Sequence, residues 1–165
     1  MLLNEFYDYY YENTGFTTIR STARALVFDE QGRMGMMHIV GDDIFGARDH
    51  YETPGGGIEA GEDAETAIHR EVLEEVGFAC RIDSYLGSVI NRYNLLEVIT
   101  VHHFFVCTIT KKEATAWTAS EQEWFQGVVW KTPQEWVDIL AKPRPMVNEL
   151  VHQRERFILS YFLNQ

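Results

Sequence analysis

The sequence predicts an α/β fold, because strand-like segments stand on both sides of one sharply delimited helix and further helical segments follow them. The composition is typical of a folded globular protein, with 45% of the 165 residues hydrophobic and 24% charged. No internal repeat, low-complexity tract or flexible linker divides the chain. We therefore expect one domain over residues 1–165, with its own hydrophobic core.

The first part of the chain has the pattern of a β-hairpin followed by a loop. Residues 21–28 and 34–40 are β-prone, and the turn-forming residues 29–33 separate them. Residues 41–51 are polar and mixed in character, so we expect a loop there. Residues 53–57, Thr-Pro-Gly-Gly-Gly, cannot continue a regular helix, because proline lacks an N–H and glycine is too flexible.

Residues 64–76 have a helical period, with Asp63 placed to cap the start and Gly77 placed to end the helix. Its apolar stripe, which we expect to pack on the sheet, consists of Ile68, Val72 and Val76. Strand patterns follow at residues 81–92, 97–110 and 124–130, and helical patterns at 133–140 and 147–162.

The net charge, the start of the chain and the cysteine content restrict the expected partners and compartment. The net charge of -11 disfavours binding to a nucleic-acid polymer, which depends on Lys and Arg neutralising phosphates. A substrate that bears phosphate would need divalent cations to offset this acidity. The chain start does not resemble a secretory signal, and no apolar run is long enough for a membrane span. Cys80 and Cys107 are too few for a disulfide framework, so we expect a cytoplasmic protein without membrane partners.

The helix at residues 64–76 carries an unusual cluster of negative charge. Glu71, Glu74 and Glu75 are spaced i, i+3 and i+4, so their side chains are neighbours that repel one another. Mg²⁺ or Mn²⁺ would compensate such a cluster, because hard cations prefer oxygen ligands. The alternative is a solvated acidic face that only keeps the domain soluble.

A longer motif surrounds this cluster and favours the metal hypothesis. The pattern G-x5-E-x7-R-E-U-x-E-E-x-G-U, with U a bulky apolar residue, is complete. It is satisfied by Gly56, Glu62, Arg70, Glu71, Val72, Glu74, Glu75, Gly77 and Phe78. It resembles the Nudix box, the signature of the Nudix hydrolases. The resemblance implies an α/β/α sandwich with a mixed central β-sheet, whose core spans about residues 20–140 between an N-terminal extension and a C-terminal helix.

The same resemblance implies a metal-dependent hydrolase that cleaves the diphosphate bond of a nucleoside diphosphate linked to another group. Glu71 and Glu75 would be direct metal ligands, and Glu74 a further ligand or the residue that activates water. The carbonyl of Gly55 aligns with a main-chain ligand. Arg70 would orient the catalytic glutamates through its planar set of donors. The implied cofactor is Mg²⁺ or Mn²⁺.

Residues outside the best-defined positions are less determined by the motif. Glu121 or Glu123 occupies the region in which family members often carry the general base. Glu62 has a structural or a catalytic role, because a negative charge is also favourable just before a helix. Glu59 is a similar case, which we place with the substrate-binding candidates. Arginines common at the end of the family's second strand are missing here, and Arg24 is one possible substitute for phosphate binding.

The sequence leaves the substrate and the assembly open. A small nucleotide-type molecule is the expected partner, and residues 41–51 and 91–97 are the segments expected to select it. The alternative function is a catalytically inactive module of the same fold that senses a nucleotide or metabolite. A homodimer is common in the resembled family, and a partner subunit is another source of a phosphate-binding Lys or Arg.

Overall fold

The computed structural model describes residues 1–165 as eight β-strands and four α-helices. In the first half these are β1 (Leu2–Phe6), β2 (Thr18–Phe28), β3 (Met34–Asp43), β4 (Gly46–Glu52), β5 (Gly55–Gly57) and α1 (Ala64–Glu71), which a π-helical segment (Val72–Val76) extends. In the second half they are β6 (Phe78–Tyr93), a 3-10 turn (Asn94–Leu96), β7 (Val98–Lys112), α2 (Ala119–Trp124), β8 (Phe125–Lys131), α3 (Pro133–Ala141) and α4 (Val147–Leu163).

The strands form one sheet in the order β1-β6-β7-β2-β3-β4, with β5 paired to β2 and β8 paired to β3. The sheet is mixed, as predicted. The long strand β2 runs parallel to β7 from the pair Thr18 and Val98 to the pair Phe28 and Thr108. By contrast, β6 and β7 are antiparallel, and so are β3 and β4.

Two hydrophobic clusters on the two faces of this sheet give the sandwich its layers. On one face, the predicted apolar stripe of α1 and its π-helical extension packs against Ala23, Ala25 and Phe105 of the sheet. On the other face, Trp136 of α3 and Ile158 of α4 pack among sheet residues. The observed architecture is therefore the α/β/α sandwich with a mixed central β-sheet that the sequence predicted.

The loop predicted at residues 41–51 is wrong. Strand β3 continues to Asp43 and strand β4 begins at Gly46, so this segment is mostly a hairpin. Its tight turn is held by the Asp43 side chain, which accepts hydrogen bonds from the Phe45 N–H at 2.9 Å and from Arg48 at 3.0 Å. The segment looks loop-like in sequence because both strands expose polar side chains.

The central helical segment has the predicted limits but changes its geometry inside them. Asp63 caps it by accepting a hydrogen bond from the Thr66 N–H at 2.7 Å, and Gly77 ends it with φ of +79°. The last five residues are π-helical, which no sequence pattern predicted. Strand β1 and the short helix α2 were not predicted either. No helix combines the length and the apolar character that crossing a bilayer requires.

Candidate functional site

The glycine-rich strand β5 brings main chain directly against the acidic helix. It pairs with β2, so that Arg24 lies opposite Gly55 and Ala23 opposite Gly56. A Cβ on Gly55 would lie 2.1 Å from the Ala23 carbonyl oxygen, and one on Gly56 would lie 2.6 Å from Oε1 of Glu71. Only glycine allows this approach, because any side chain would displace the Glu71 carboxylate or the neighbouring strand.

Glu71 and Glu75 form a buried pair of carboxylates behind this strand. Each exposes 7% or less of its surface, and the Gly55 N–H donates to Oε2 of Glu75 at 2.9 Å. Burial raises the pKa of Glu75 well above its usual range, and the negative charges of Glu71 and Glu52 raise it further. Burial also raises the pKa of Glu71, against the opposing effect of Arg70. The protein therefore only partly compensates the ionised form of this pair.

Arg70 is the centre of the hydrogen bonds around this pair. Its guanidinium donates to Glu71 at 2.7 Å, to Glu74 at 3.3 Å and to Glu62 at 2.5 Å. It also donates to the Gly57 carbonyl at 3.0 Å, which ties the helix to strand β5. Arg70 thus touches two of the predicted metal-binding glutamates, the arrangement expected of a residue that positions them.

Glu59 and Glu62 differ in what they do. Glu62 accepts from the Glu59 N–H at 2.7 Å as well as from Arg70, so it holds the loop before α1 in place. The Glu59 carboxylate is exposed and lies 4.0 Å from Arg70. Glu62 therefore holds the loop and Arg70 through its contacts, whereas the Glu59 carboxylate is open to solvent.

The carboxylate and carbonyl oxygens of this site are donors that a hard cation prefers. No three acidic, histidine or cysteine side chains lie close enough together to form a ligand set by themselves. Two of the predicted ligands are buried carboxylates of raised pKa, which a divalent cation would compensate. The space where a Cβ would lie on Gly56 is in contact with both oxygens of Glu71. The predicted third ligand, Glu74, is more exposed and binds Arg70.

The two candidates for the general base lie in different surroundings. Glu121 caps the short helix α2, where it accepts from the Thr118 N–H at 2.7 Å. It also lines a cavity of about 290 Å³ together with His50 and Glu52. Glu123 is exposed and does not line that cavity. The structure therefore brings Glu121, but not Glu123, into a cavity beside Glu52.

Arg24 faces α4, on the side of the sheet opposite the apolar stripe of α1. It is buried, donates to the Thr53 carbonyl at 2.6 Å and pairs with Glu52 at 3.4 Å. Although burial by itself raises the pKa of Glu52, the charges of Arg24, His50 and Arg154 lower it to about 2. Glu52 is therefore ionised, and its negative charge helps to raise the pKa of Glu75.

Several polar residues of this region were not predicted from the sequence. Glu52, His50, His102 and Arg154 come from strands β4 and β7 and helix α4, and only the folded sheet brings them together. The alternation in β4 places His50 and Glu52 on one face, but the segment was predicted as a loop, so that pattern went unused.

Comparison with known proteins agrees with this architecture. A family model described as the NUDIX domain matches residues 18–151. No curated protein matches the sequence significantly. A structure described as a NUDIX hydrolase from Nitrosomonas europaea has a TM-score of 0.62 and 16% identity, and the match covers 86% of this chain and 90% of that one.

Two further solved structures resemble the chain at similar levels. A MutT NUDIX hydrolase from Burkholderia pseudomallei has a TM-score of 0.62 and 18% identity, with 87% of this chain and 97% of that one covered. A structure described as a UDP-X diphosphatase has a TM-score of 0.61 and 18% identity, with 92% of this chain and 66% of that one covered. At these identities the likeness concerns the fold.

Proposed function

The chain belongs to the Nudix family, and from that premise we propose that it is a metal-dependent hydrolase of a nucleoside diphosphate linked to another group. Family membership supports hydrolase activity on phosphoric anhydrides. The observation that carries the proposal is the buried pair Glu71 and Glu75, which lies against main chain that only glycine permits. A cluster that merely solvated the surface would not bury carboxylates at the cost of raising their pKa.

The proposed metal ligands are Glu71, Glu74 and Glu75, together with the main-chain carbonyl of Gly55. When bound, Mg²⁺ or Mn²⁺ supplies positive charge to the phosphate oxygens and makes water more acidic. Arg70 keeps the carboxylates of Glu71 and Glu74 oriented through its hydrogen bonds. The Gly55 N–H does the same for Glu75.

The proposed reaction is a hydrolysis. The oxygen of a water molecule bonds to one phosphorus of the diphosphate, and the bond from that phosphorus to the bridging oxygen breaks. The bridging oxygen leaves with the other phosphate group. The proton of the water passes to a carboxylate, for which Glu121 is the stronger candidate because it lines a cavity with Glu52.

The test of the proposed function replaces each glutamate by the isosteric amide. We expect Glu71→Gln and Glu75→Gln to lower kcat/KM for nucleoside diphosphate derivatives by at least about a hundredfold and to abolish the thermal shift caused by Mn²⁺. The matched control is Glu65→Gln, because Glu65 is exposed on the same helix and binds nothing. A fully active Glu75→Gln protein would reject the mechanism. Binding of nucleotide derivatives by the wild type without product release would support the sensing module instead.

The general base is tested by a second pair of variants. We expect Glu121→Gln to lower kcat by about 10² or more and Glu123→Gln to have little effect, because only Glu121 lines the cavity. A pH profile distinguishes loss of the general base from damage to helix α2, since loss of the base removes the acidic limb of the profile. Equal activity in both variants would assign the proton transfer to Glu74.

A further inference from the structure

A second cavity, of about 210 Å³, lies between the sheet and α4, and four arginines line it. They are Arg20 and Arg24 of β2, Arg48 of β4 and Arg154 of α4. The whole chain has only 14 Lys and Arg residues and a net charge of -11. Positive charge is therefore concentrated at this one cavity of an acidic protein.

The arginines are not fully compensated by carboxylates. Arg24 and Arg154 share Glu52, Arg154 also binds Glu155, and Arg48 binds Asp43. Arg20 is exposed and pairs with none of these carboxylates. Four guanidinium groups thus face three carboxylates, which leaves one positive charge in excess. In addition, the buried Nε of Arg48 has no hydrogen-bond acceptor.

The deepest arginines are held in fixed positions. Arg24 exposes 7% of its surface and Arg154 exposes 1%. His102 lies between them, with Nε2 at 3.3 Å from Arg154 and Nδ1 at 2.7 Å from the Thr22 hydroxyl. Burial lowers the pKa of His102 well below its usual range, so the imidazole adds no charge. Burial and these contacts hold the two guanidinium groups in place, and guanidinium groups suit planar or tetrahedral anions.

The cavity adjoins the one that Glu121 lines, because Arg48 and Glu52 line both cavities. Arg24 lies opposite Gly55 in the pairing of β2 with β5, and Gly55 binds Glu75. Glu52 lines the cavity, and its charge acts on Glu75. A group attached to a diphosphate at Glu71 and Glu75 would extend past Gly55 and Arg24 to reach the arginines.

We propose that this cavity binds the group linked to the diphosphate, and that this group is sugar-sized and carries its own phosphate or carboxylate. The inference rests on the proposed function and names its substrate class. Glu71, Glu74 and Glu75 do not line this cavity, so a diphosphate held beside them would leave the excess positive charge for another anion. A cavity of about 150 Å³ can hold benzene, so 210 Å³ accommodates one ring with its substituent.

The test compares substrates that differ only in the extra anion. ADP-ribose 1″-phosphate against ADP-ribose examines a phosphate, and UDP-glucuronate against UDP-glucose examines a carboxylate. If the cavity recognises a phosphate, kcat/KM should be at least about tenfold higher for ADP-ribose 1″-phosphate than for ADP-ribose. If it recognises a carboxylate, UDP-glucuronate should have the same advantage over UDP-glucose. Equal values within both pairs would overturn the proposal.

Arginine variants then locate the effect. In Arg20→Gln and Arg48→Gln the ratio of kcat/KM between the anionic and neutral members should fall about tenfold. It should stay constant in Arg81→Gln, because Arg81 is exposed and lies outside the cavity. An equal loss on both members of a pair would overturn the proposal, because the arginines would then bind the diphosphate itself.

A binding measurement separates failure of this proposal from failure of the proposed function. In EDTA, titration with inorganic phosphate followed by NMR should show a dissociation constant that Arg20→Gln and Arg48→Gln weaken about tenfold. Arg81→Gln is again the control. Phosphate binding without any hydrolysis would reject the enzyme and keep the cavity, whereas hydrolysis without phosphate binding would reject the cavity.

Discussion

The acidic cluster of α1 and the arginine cavity under α4 are both charged, but they are built in opposite ways. Glu71, Glu74 and Glu75 come from five consecutive residues and have one cation, Arg70, among them. The cavity draws its charges from β2, β4 and α4, and most of them are paired. The first site holds surplus charge for a ligand, and the second uses much of its charge to hold the sheet and α4 together.

This difference predicts which replacements damage folding and which damage function. Removing a carboxylate from the acidic cluster relieves repulsion, so it should affect turnover more than stability. Removing Arg154 from the cavity leaves the buried Glu155 without a partner, which should lower the stability of the fold.

The largest effect is expected for Arg154→Met. The substitution leaves Glu155, which is 1% exposed, without its cation and Glu52 with Arg24 alone, so the free energy of unfolding should fall by roughly 3 to 5 kcal/mol. Denaturant unfolding measures this. Arg81→Met, at an exposed ion pair, should change stability by no more than about 0.5 kcal/mol. If Arg154→Met were no more destabilising than Glu75→Gln, the contrast between the two sites would be wrong.

The next effect is a pH dependence from His50 of strand β4. Burial lowers the pKa of His50 to about 4, so the folded protein keeps it neutral while the unfolded chain binds a proton below about pH 6.5. Its contribution to stability is complete above pH 6.5 and is lost as the pH falls towards 4, by about 3 kcal/mol. Between these pH values, the free energy of unfolding of His50→Gln, measured in urea, should fall less steeply than that of the wild type. Parallel curves for the variant and the wild type would contradict the assignment.

The smallest effect is expected at the glycines of β5. A Cβ at Gly56 would lie 2.6 Å from Glu71, whereas one at Gly57 meets nothing within 4 Å. We expect Gly56→Ala to lower kcat/KM about tenfold by displacing the carboxylate, and Gly57→Ala to stay within about twofold. Steady-state kinetics at saturating Mn²⁺ checks this. Similar activity in both variants would show that Glu71 tolerates displacement.

The sequence predicted the parts of the molecule whose causes are local. The capping by Asp63, the stop at Gly77 and the apolar stripe of α1 depend on residues within one helix, and the family motif is contiguous. The fold class and the family resemblance, which depend on this contiguous motif, were confirmed. The roles of Glu71, Glu74, Glu75 and Arg70 stay predictions, because their contacts agree with them but do not measure them.

What the sequence could not predict depends on distant residues. The hairpin of β3 and β4 looks like a loop, because its solvent side is polar and its order comes from pairing and from α4. Arg154 and His102 look like ordinary residues of a helix and a strand, and only their contact at 3.3 Å joins them. The arginine cavity is therefore a property of the assembled sheet.

Helix α4 also covers the edge of the sheet that strand β4 forms. Strand β4 is at the edge of the sheet, where free N–H groups would invite another strand. Instead, the Asp49 N–H donates to Asn148 at 3.0 Å and the Tyr51 N–H donates to His152 at 3.0 Å. Asn148 and His152 are one helical turn apart, so their side chains imitate the acceptor spacing of a neighbouring strand. The helix thus covers this edge of the sheet. A chain shortened before residue 147 would expose the edge and would be prone to aggregation.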